Sequence, residues 1–195
     1  MPDPPAVVSA KRTLRGQLLT RRSTRPVAER AAAADALVSA LRDGLADARV
    51  VAAHVPTDVE PGHGSLPGGL TPLGARVLLP VVPRTGRALS WAVHDGGLAT
   101  GAFGLLEPTG PRLPASAIGD ADAVVVPALA VGRDGTRLGR GGGYYDRALA
   151  LARPDAVLVA VVFDDELLDA VPAEPHDRRV HAVVTPGGGW QRLVE

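Results

Sequence analysis

The sequence predicts an α/β fold: a single-domain sandwich in which helices cover both faces of a central, mostly parallel or mixed β-sheet. Several short runs rich in Val are continuously apolar instead of alternating with polar residues, which is typical of strands buried on both faces. Helical patterns interleave with these runs, as they do in α/β folds. The 195-residue chain has no internal repeat and no linker-like segment, so we expect one domain over residues 1–195.

Two helices are predicted ahead of the first strand. Ser9 is a suitable N-cap for a helix over about residues 10–22, in which leucines four positions apart share one stripe. A second helix is predicted over residues 27–45, where leucines again recur every four positions. A shorter helix is expected over about residues 144–152, after the last glycine-rich turn.

Six apolar runs predict strands, and turn signals rich in Gly and Pro separate them. They cover residues 49–55, 75–82, 88–94, 122–131, 156–163 and 180–185. The longest irregular stretch, 59–74, is more consistent with an active-site loop or a short helix than with a domain boundary.

The composition excludes several classes of protein and site. Basic and acidic residues balance at 21 each, so the net charge gives no reason to expect nucleic-acid binding. The absence of Cys excludes disulfides and thiolate metal sites. No apolar run approaches the roughly 20 residues of a membrane helix, and the residues before Lys11 are not those of a signal peptide. We therefore expect a cytoplasmic monomer that binds neither nucleic acid nor membrane.

The histidines give no sign of a zinc site. They stand at positions 54, 63, 94, 176 and 181, without the spacing of zinc ligands. His176 precedes Asp177 and is interpreted as local support for its loop.

The segment RLGRGGGYYDR (137–147) carries the strongest chemical signal in the chain. A glycine-rich turn that opens a helix exposes backbone N–H groups and the positive end of the helix dipole, which together bind phosphate. A dinucleotide fingerprint would need glycine where Tyr144 stands, and a Walker A loop would need a lysine, whereas the only lysine is Lys11. Glycines that serve turn geometry alone are the alternative, but the flanking Arg137 and Arg140 favour an anion site.

The surrounding residues resemble a known family. The segment VPALAVGRDGTRLGRGGGYYDRAL (126–149) is similar to the signature of the 5-formyltetrahydrofolate cyclo-ligases, also called 5,10-methenyltetrahydrofolate synthetases. Four weaker matches follow that family's order: KRTLR (11–15), DVEPG (58–62), FGLLEP (103–108) and PAEPHDRRVHAVVT (172–185). The chain departs from the family where EPGHG lacks the usual acid and threonine after the glutamate, and where Gly142 replaces a frequent lysine.

The resemblance implies a reaction that consumes ATP and requires Mg²⁺. In that family the formyl oxygen of 5-formyltetrahydrofolate attacks the γ-phosphate, N10 closes on the activated carbon, and phosphate leaves. Such chemistry requires positioning and charge neutralisation more than a covalent nucleophile. Two alternatives stay open: a catalytically impaired relative that only binds folate or nucleotide, and an unrelated small phosphate-binding enzyme of kinase type.

The resemblance also implies which residues form the site. The catalytic residues would be Arg140 and Lys11. The ATP-binding residues would be Lys11, Arg15, Arg137, Gly139, Arg140, Gly141, Gly142, Gly143, Tyr144 and Tyr145. The folate-binding residues would be Glu60, Arg140, Tyr144 and Trp91, and the magnesium ligands would be Asp146 and Asp177.

Several of these assignments have structural alternatives. Lys11 and Arg15 lie one turn apart and could form a solvated helix face. Trp91 and Phe103 could stack on the pterin or fill the core. Asp177 could belong to a plain surface turn.

Overall fold

The structure is a computed structural model that describes residues 4–174 and 177–193. Its α-helices are α1 (Pro4–Thr24), α2 (Val27–Gly44) and α3 (Tyr144–Leu149). Its strands are β1 (Val50–Ala52), β2 (Arg76–Val81), β3 (Ser90–Val93), β4 (Leu98–Thr100), β5 (Leu106–Pro108), β6 (Arg112–Leu113), β7 (Ala123–Pro127), β8 (Ala130–Gly132), β9 (Arg137–Leu138), β10 (Val157–Val161), β11 (Leu167–Leu168), β12 (Ala182–Thr185) and β13 (Gly189–Arg192). Short 3₁₀ helices occupy Gly68–Leu73, Ala102–Gly104, Ala115–Asp120 and Asp164–Glu166.

The predicted α/β class is confirmed by an eight-stranded mixed sheet. Its strand order is β13-β12-β10-β7-β1-β2-β3-β6. The five central strands pair in parallel, whereas the pairs β2–β3, β3–β6 and β12–β13 are antiparallel. From β1 the chain crosses to β2 on one side, and from β7 it crosses to β10 on the other. The sheet therefore has a topological switch point between the carboxyl ends of β1 and β7, where α/β folds usually bind ligands.

Apolar layers lie on both faces of this sheet. On one face, Leu37 and Leu41 of α2 pack with Val51, Val125 and Val159. On the other, Ala148 and Leu149 of α3 pack with Ile118, Val124 and Leu158. Because the valines are enclosed between these layers, the strands have continuous apolar runs.

The segment predicted as one strand at 122–131 forms two. β7 ends at Pro127, and β8 belongs to a separate three-stranded sheet of order β11-β8-β9. The interruption follows from Pro127, which has no N–H to continue the ladder. α1 covers this small sheet, with Leu18 packed against Leu129 and Leu138.

Other boundaries also differ from the predictions. The first helix begins at Pro4, so Ser9 lies within it and the predicted N-cap is wrong. α3 ends at Leu149, three residues early. The irregular stretch 59–74 contains the 3₁₀ helix Gly68–Leu73. Within the described ranges, no helix combines the length and the apolar character needed to cross a membrane.

Candidate active site at the carboxyl edge of the sheet

A cavity of about 450 Å³ opens at the switch point. Its lining comes from the residues after β1 and β7, from the loop that joins β4 to β5, and from the glycine loop, which we define as residues 139–143. The volume falls within the range of small-molecule sites. Most of the predicted site residues line this cavity: Glu60, Arg137, Gly139, Arg140, Gly141, Gly142, Gly143, Tyr144, Tyr145 and Asp146.

The glycine loop is shaped by backbone conformations that favour glycine. Gly141 has a φ of +93° and Gly143, the N-cap of α3, has a φ of +70°. A Cβ on Gly141 would lie 3.3 Å from the guanidinium carbon of Arg15. Arg15 donates a hydrogen bond from Nε to the carbonyl of Gly139 at 2.9 Å. Arg15 therefore anchors the glycine loop to α1.

Arg137 places a largely buried cation beside this loop. Its side chain is 7% exposed and donates from Nη2 to Asp146 Oδ1 at 2.6 Å and from Nη1 to the Pro127 carbonyl at 3.2 Å. Its buried Nε–H has no hydrogen-bond partner among the described residues. Burial lowers the pKa of Arg137, and the charges of Asp146 and Asp177 act against that effect. One donor of the Arg137 guanidinium is therefore unused among the described residues.

Arg140 and Glu60 form an ion pair in the lining of the cavity. Arg140 Nε donates to Glu60 Oε1 at 3.0 Å, and Glu60 Oε2 accepts the amide of Thr57 at 2.8 Å. Burial disfavours the charged form of Glu60, but His54, the Thr57 amide and Arg140 together hold the pKa of Glu60 below its ordinary value. The resemblance implies roles for these two residues toward phosphate and folate, and the structure joins them in one ion pair.

His54 was not identified as a site residue from the sequence. It follows β1, lines the cavity and is 5% exposed. Its Nδ1 lies 3.3 Å from the Val125 carbonyl, which assigns the proton to Nδ1. Burial lowers the pKa of His54, while the charge of Glu60 and the hydrogen bond to the Val125 carbonyl act against that effect. The signal in the sequence is its position directly after a buried strand.

Lys11 lies on α1 and is buried, being 6% exposed. Its Nζ donates to Glu174 Oε2 at 2.8 Å and to Asp177 Oδ2 at 2.6 Å. Burial alone would lower the pKa of Lys11, but the hydrogen bonds and charges of these two acids outweigh it and raise the pKa. The alternative of a solvated helix face is therefore wrong for Lys11. Lys11, Arg15 and Asp177 do not line the cavity itself.

The C-terminal segment that carries Asp177 folds back toward the cavity. Asp177 Oδ2 also accepts the amide of Glu174 at 2.7 Å, and the charge of Asp177 acts on the Arg137 guanidinium. Glu174 was missed from the sequence, although it lies only three residues before Asp177. The interpretation of His176 as support for this loop lies outside the described residues.

Trp91 and Phe103 have opposite environments. Trp91 is fully buried in the core cluster that contains Leu78 and Leu89, and it does not line the cavity. The predicted folate contact of Trp91 is therefore corrected: its bulk fills the core. Phe103 is 73% exposed, lines the cavity and has a φ of +57°. A bulky residue with positive φ is a strained outlier of the kind found at ligand sites.

Both tyrosines at the start of α3 line the cavity. The hydroxyl of Tyr145 is buried and has no hydrogen-bond partner among the described residues, and burial raises the pKa of Tyr145. Since Tyr144 and Tyr145 each also pack against the core cluster, neither is exclusively a core or a ligand residue.

Comparison with known proteins identifies the family. The model of the 5-formyltetrahydrofolate cyclo-ligase family matches residues 7–186. A 5-formyltetrahydrofolate cyclo-ligase of Mycolicibacterium smegmatis is 48% identical over 185 residues, which are 92% of this chain and 95% of that protein.

Solved structures agree with this match. The 5,10-methenyltetrahydrofolate synthetase of Aquifex aeolicus has a TM-score of 0.76 at 28% identity, covering 95% of this chain and 93% of that one. The synthetase of Mycoplasma pneumoniae has a TM-score of 0.67 at 19% identity, covering 89% and 96%, and supports the fold alone. Because the family model spans most of the sequence, and the glycine loop with its arginines lies at a cavity that suits a ligand, the chain belongs to the 5-formyltetrahydrofolate cyclo-ligase family and is a ligase.

Proposed function

We propose that the chain converts 5-formyltetrahydrofolate to 5,10-methenyltetrahydrofolate in a reaction that requires ATP and magnesium and releases ADP and phosphate. One structural observation supports the proposal in addition to family membership. The same cavity joins a cationic glycine loop to an apolar wall that ends at the carboxylate of Glu60. A triphosphate and a folate ring can therefore be held with their reacting atoms adjacent.

The glycine loop and its cations form the nucleotide end of the site. Backbone amides of residues 139–143 can cradle phosphate oxygens, and the guanidinium groups of Arg137 and Arg140 can each hold two such oxygens. Arg15 fixes the loop by its hydrogen bond to Gly139. Lys11 adds positive charge from α1, oriented by its two acid partners.

The folate end lies between Glu60 and the loop that joins β4 to β5. A carboxylate there is suited to accept hydrogen bonds from the amino and ring N–H groups of a pterin. The pKa of Glu60 lies below its ordinary value, which keeps the carboxylate charged for this purpose. Phe103, Leu105 and Leu106 supply an apolar wall for the flat ring system.

The protein contributes positioning and charge neutralisation to each step. The formyl oxygen bonds to the γ-phosphorus as the bond to the ADP oxygen breaks. N10 then bonds to the formyl carbon, loses its proton, and the carbon–oxygen bond breaks to release phosphate. Arg140 and Arg137 neutralise the charge that spreads over the transferred phosphoryl group, while the apolar walls restrict access of water.

The carboxylates near the glycine loop fit a magnesium ion that is bound together with nucleotide phosphates. Magnesium takes one or two carboxylates and completes its shell with phosphate oxygens and water. Asp146 has a side chain 56% exposed at the cavity, and the charges of Asp146 and Asp177 both act on Arg137. The described residues contain no group of three acids or histidines that could hold a metal without such help. When bound, magnesium would neutralise the phosphates and orient them.

Replacing Asp146 or Asp177 by Asn is expected to raise the magnesium concentration that gives half-maximal turnover. Each change keeps the size of the side chain and removes its charge, so activity should partly return at high magnesium. The double variant should fall short of additivity because the two residues share one ion. A magnesium titration of turnover measures this. An Asp177→Asn variant that titrates like wild type would limit Asp177 to its contact with Lys11.

Replacing Phe103 by Gly is expected to raise KM for 5-formyltetrahydrofolate about tenfold or more, since an exposed aromatic wall is lost. The same change should leave the melting temperature equal or higher, because glycine relieves the strain of a φ of +57°. Steady-state kinetics and thermal unfolding measure the two effects. Leu151→Gly, at another exposed apolar position, is the control. A drop in stability with normal KM would make Phe103 a packing residue.

The proposed activity is tested by mixing the purified protein with ATP, magnesium and 5-formyltetrahydrofolate. We expect the near-ultraviolet absorbance of the methenyl product to appear together with one ADP per product. Folate binding without product would indicate a catalytically impaired relative. ADP formation that does not depend on folate would indicate a phosphate-transfer enzyme of another kind.

A further inference from the structure

The hairpin of β4 and β5 carries one wall of the cavity but lies outside the main sheet. Its two strands form a small sheet of their own. Phe103, Leu105 and Leu106, in and directly after its turn, line the cavity. Gly101 donates its amide to the Leu105 carbonyl at 2.7 Å and so closes the turn. The position of this wall therefore depends on how the hairpin is attached to the rest of the fold.

One buried carboxylate makes that attachment. Glu107 of β5 is 6% exposed. Its Oε1 accepts the amide of Val82, directly after β2, at 2.9 Å, and its Oε2 accepts from Arg112 Nη2 at 3.3 Å. Among the described residues, every hydrogen bond that joins the hairpin 98–108 to the rest of the fold goes to Glu107. Because Val82 also lines the cavity, the contact of Glu107 with its amide joins two parts of the lining.

The backbone on the other side of Glu107 leaves space for the carboxylate alone. A Cβ on Gly101 would lie 2.2 Å from the carboxyl carbon of Glu107. The φ of Gly101 is −103°, outside the left-handed region that favours glycine, so the close approach of Glu107 is what requires glycine here. Arg112 is 55% exposed, and its ion pair with Glu107 contributes little. The contact with Val82 is therefore the one that fixes the hairpin.

We propose that Glu107 is a positioning residue for folate binding. By accepting the Val82 amide, Glu107 holds the hairpin so that its apolar wall stands where the flat ring system of the folate binds. Glu107 does not line the cavity, so it acts on the folate only through that wall. The inference rests on the proposed function and extends the folate end of the site to a residue outside the cavity. The glycine loop, which would hold the nucleotide, makes no hydrogen bond to the hairpin among the described residues.

The proposal is tested by titrating wild type and variants with 5-formyltetrahydrofolate and, separately, with ATP in a calorimeter. Glu107→Ala should weaken the affinity for folate about five- to twentyfold and leave the affinity for ATP unchanged. Its kcat at saturating folate should also stay that of wild type. Glu107→Gln keeps an oxygen that can accept the Val82 amide and should bind folate within about threefold of wild type. Gly101→Ala displaces the carboxylate without removing it and should match Glu107→Ala.

Asp122→Ala is the matched control, because Asp122 makes the same kinds of contact away from the cavity. Asp122 accepts the amides of Arg49 and Val50 at 2.8 Å and 2.9 Å and forms an ion pair with Arg153. It precedes β7, at the opposite edge of the sheet from the cavity. Asp122→Ala should lower the melting temperature and keep the affinity for folate.

A double variant shows whether Glu107 acts through the wall. If it does, Glu107→Ala/Phe103→Gly should bind folate no more weakly than the weaker of the two single variants, since both changes remove the same wall. Losses that add in full would contradict the proposal, because Glu107 would then affect the folate by another route.

Three other results would overturn the role of Glu107. The first is normal folate affinity in Glu107→Ala or Gly101→Ala. The second is a fall in kcat or in ATP affinity that equals the fall in folate affinity. The third is a Glu107→Gln variant as weak as Glu107→Ala, which would assign the effect to the charge of Glu107 instead of its contact with Val82. If Glu107→Ala does not fold, Glu107→Gln and Gly101→Ala still decide. Failure of the proposed function is distinguishable, because wild type itself would then bind no 5-formyltetrahydrofolate.

Discussion

Replacing Arg140 by Ala is expected to lower kcat by about 100- to 1000-fold, the effect typical of losing one group that stabilises transition-state charge. The charge at issue builds on the phosphoryl group as it passes from ATP to the formyl oxygen. Arg140 belongs to the glycine loop and contacts Glu60 in the cavity lining, so its guanidinium would lie between the proposed nucleotide and folate ends of the site. The change should also lower stability modestly. The Arg140 side chain is 49% exposed but that of Glu60 is 11% exposed, so losing this half-buried pair should cost about 1–3 kcal/mol, which a thermal unfolding measurement separates from the loss of kcat.

Steady-state kinetics and thermal unfolding test this prediction together. Arg133→Ala is the control for loss of a surface arginine, because Arg133 forms one ion pair, with Asp169, and does not line the cavity. Glu60→Gln separates the two roles that Arg140 could have. If Arg140 only orients Glu60, both variants will raise KM for folate and leave kcat unchanged. A near-normal kcat in Arg140→Ala would contradict the assignment of the glycine loop to phosphoryl transfer.

The layers of the fold could be predicted from the sequence because burial between helices makes strands continuously apolar. The predicted runs at 75–82 and 156–163 contain β2 and β10, and each run extends one or two residues beyond the ends of its strand. Local sequence signals gave wrong element boundaries where tertiary contacts determine the end of a helix or strand. Ser9 is a good N-cap by type, yet the helix extends to Pro4. The strands β4, β5 and β13 are short, and glycines lie in or next to them. Their own residues therefore do not predict strands, and it is pairing with a neighbouring strand that makes them form.

In the candidate site, too, some residues could be predicted from the sequence and others could not. Residues adjacent in sequence, such as Arg137, Arg140 and the glycines between and after them, could be grouped from the sequence. The acid partners of the cations could not, because Lys11 and Glu174 are separated by 163 positions and meet only in the fold. Trp91 was misassigned since residue type alone does not distinguish an aromatic that lines a cavity from one that fills the core.

A buried ion pair between Arg22 and Glu166 holds α1 in place, and it was not predicted from the sequence. Both side chains are 1% exposed. Arg22 donates from Nε and Nη2 to the two carboxylate oxygens of Glu166, each at 2.7 Å, and from Nη2 to the carbonyl of Ala128 at 2.7 Å. Glu166 also accepts the amide of Phe163 at 2.9 Å. Because α1 carries Lys11 and Arg15, and Ala128 lines the cavity, this pair connects the stability of the fold to the geometry of the site.

Arg22→Met is expected to lower the free energy of unfolding by about 3–5 kcal/mol, because it leaves the Glu166 carboxylate buried without its cation. The double variant Arg22→Met/Glu166→Leu should recover most of that loss, since two apolar side chains of similar volume can replace a buried pair at little net cost. Urea unfolding measures the differences from the shift in midpoint at constant slope. Arg133→Met removes one member of an exposed pair and should cost less than about 1 kcal/mol. If Arg22→Met costs no more than Arg133→Met, or if the double variant is as unstable as the single one, the ion pair does not determine how α1 is held. If the double variant recovers stability, the unpaired carboxylate of Glu166 causes the loss in Arg22→Met. The packing of α1 over the small sheet then tolerates an apolar contact at this position.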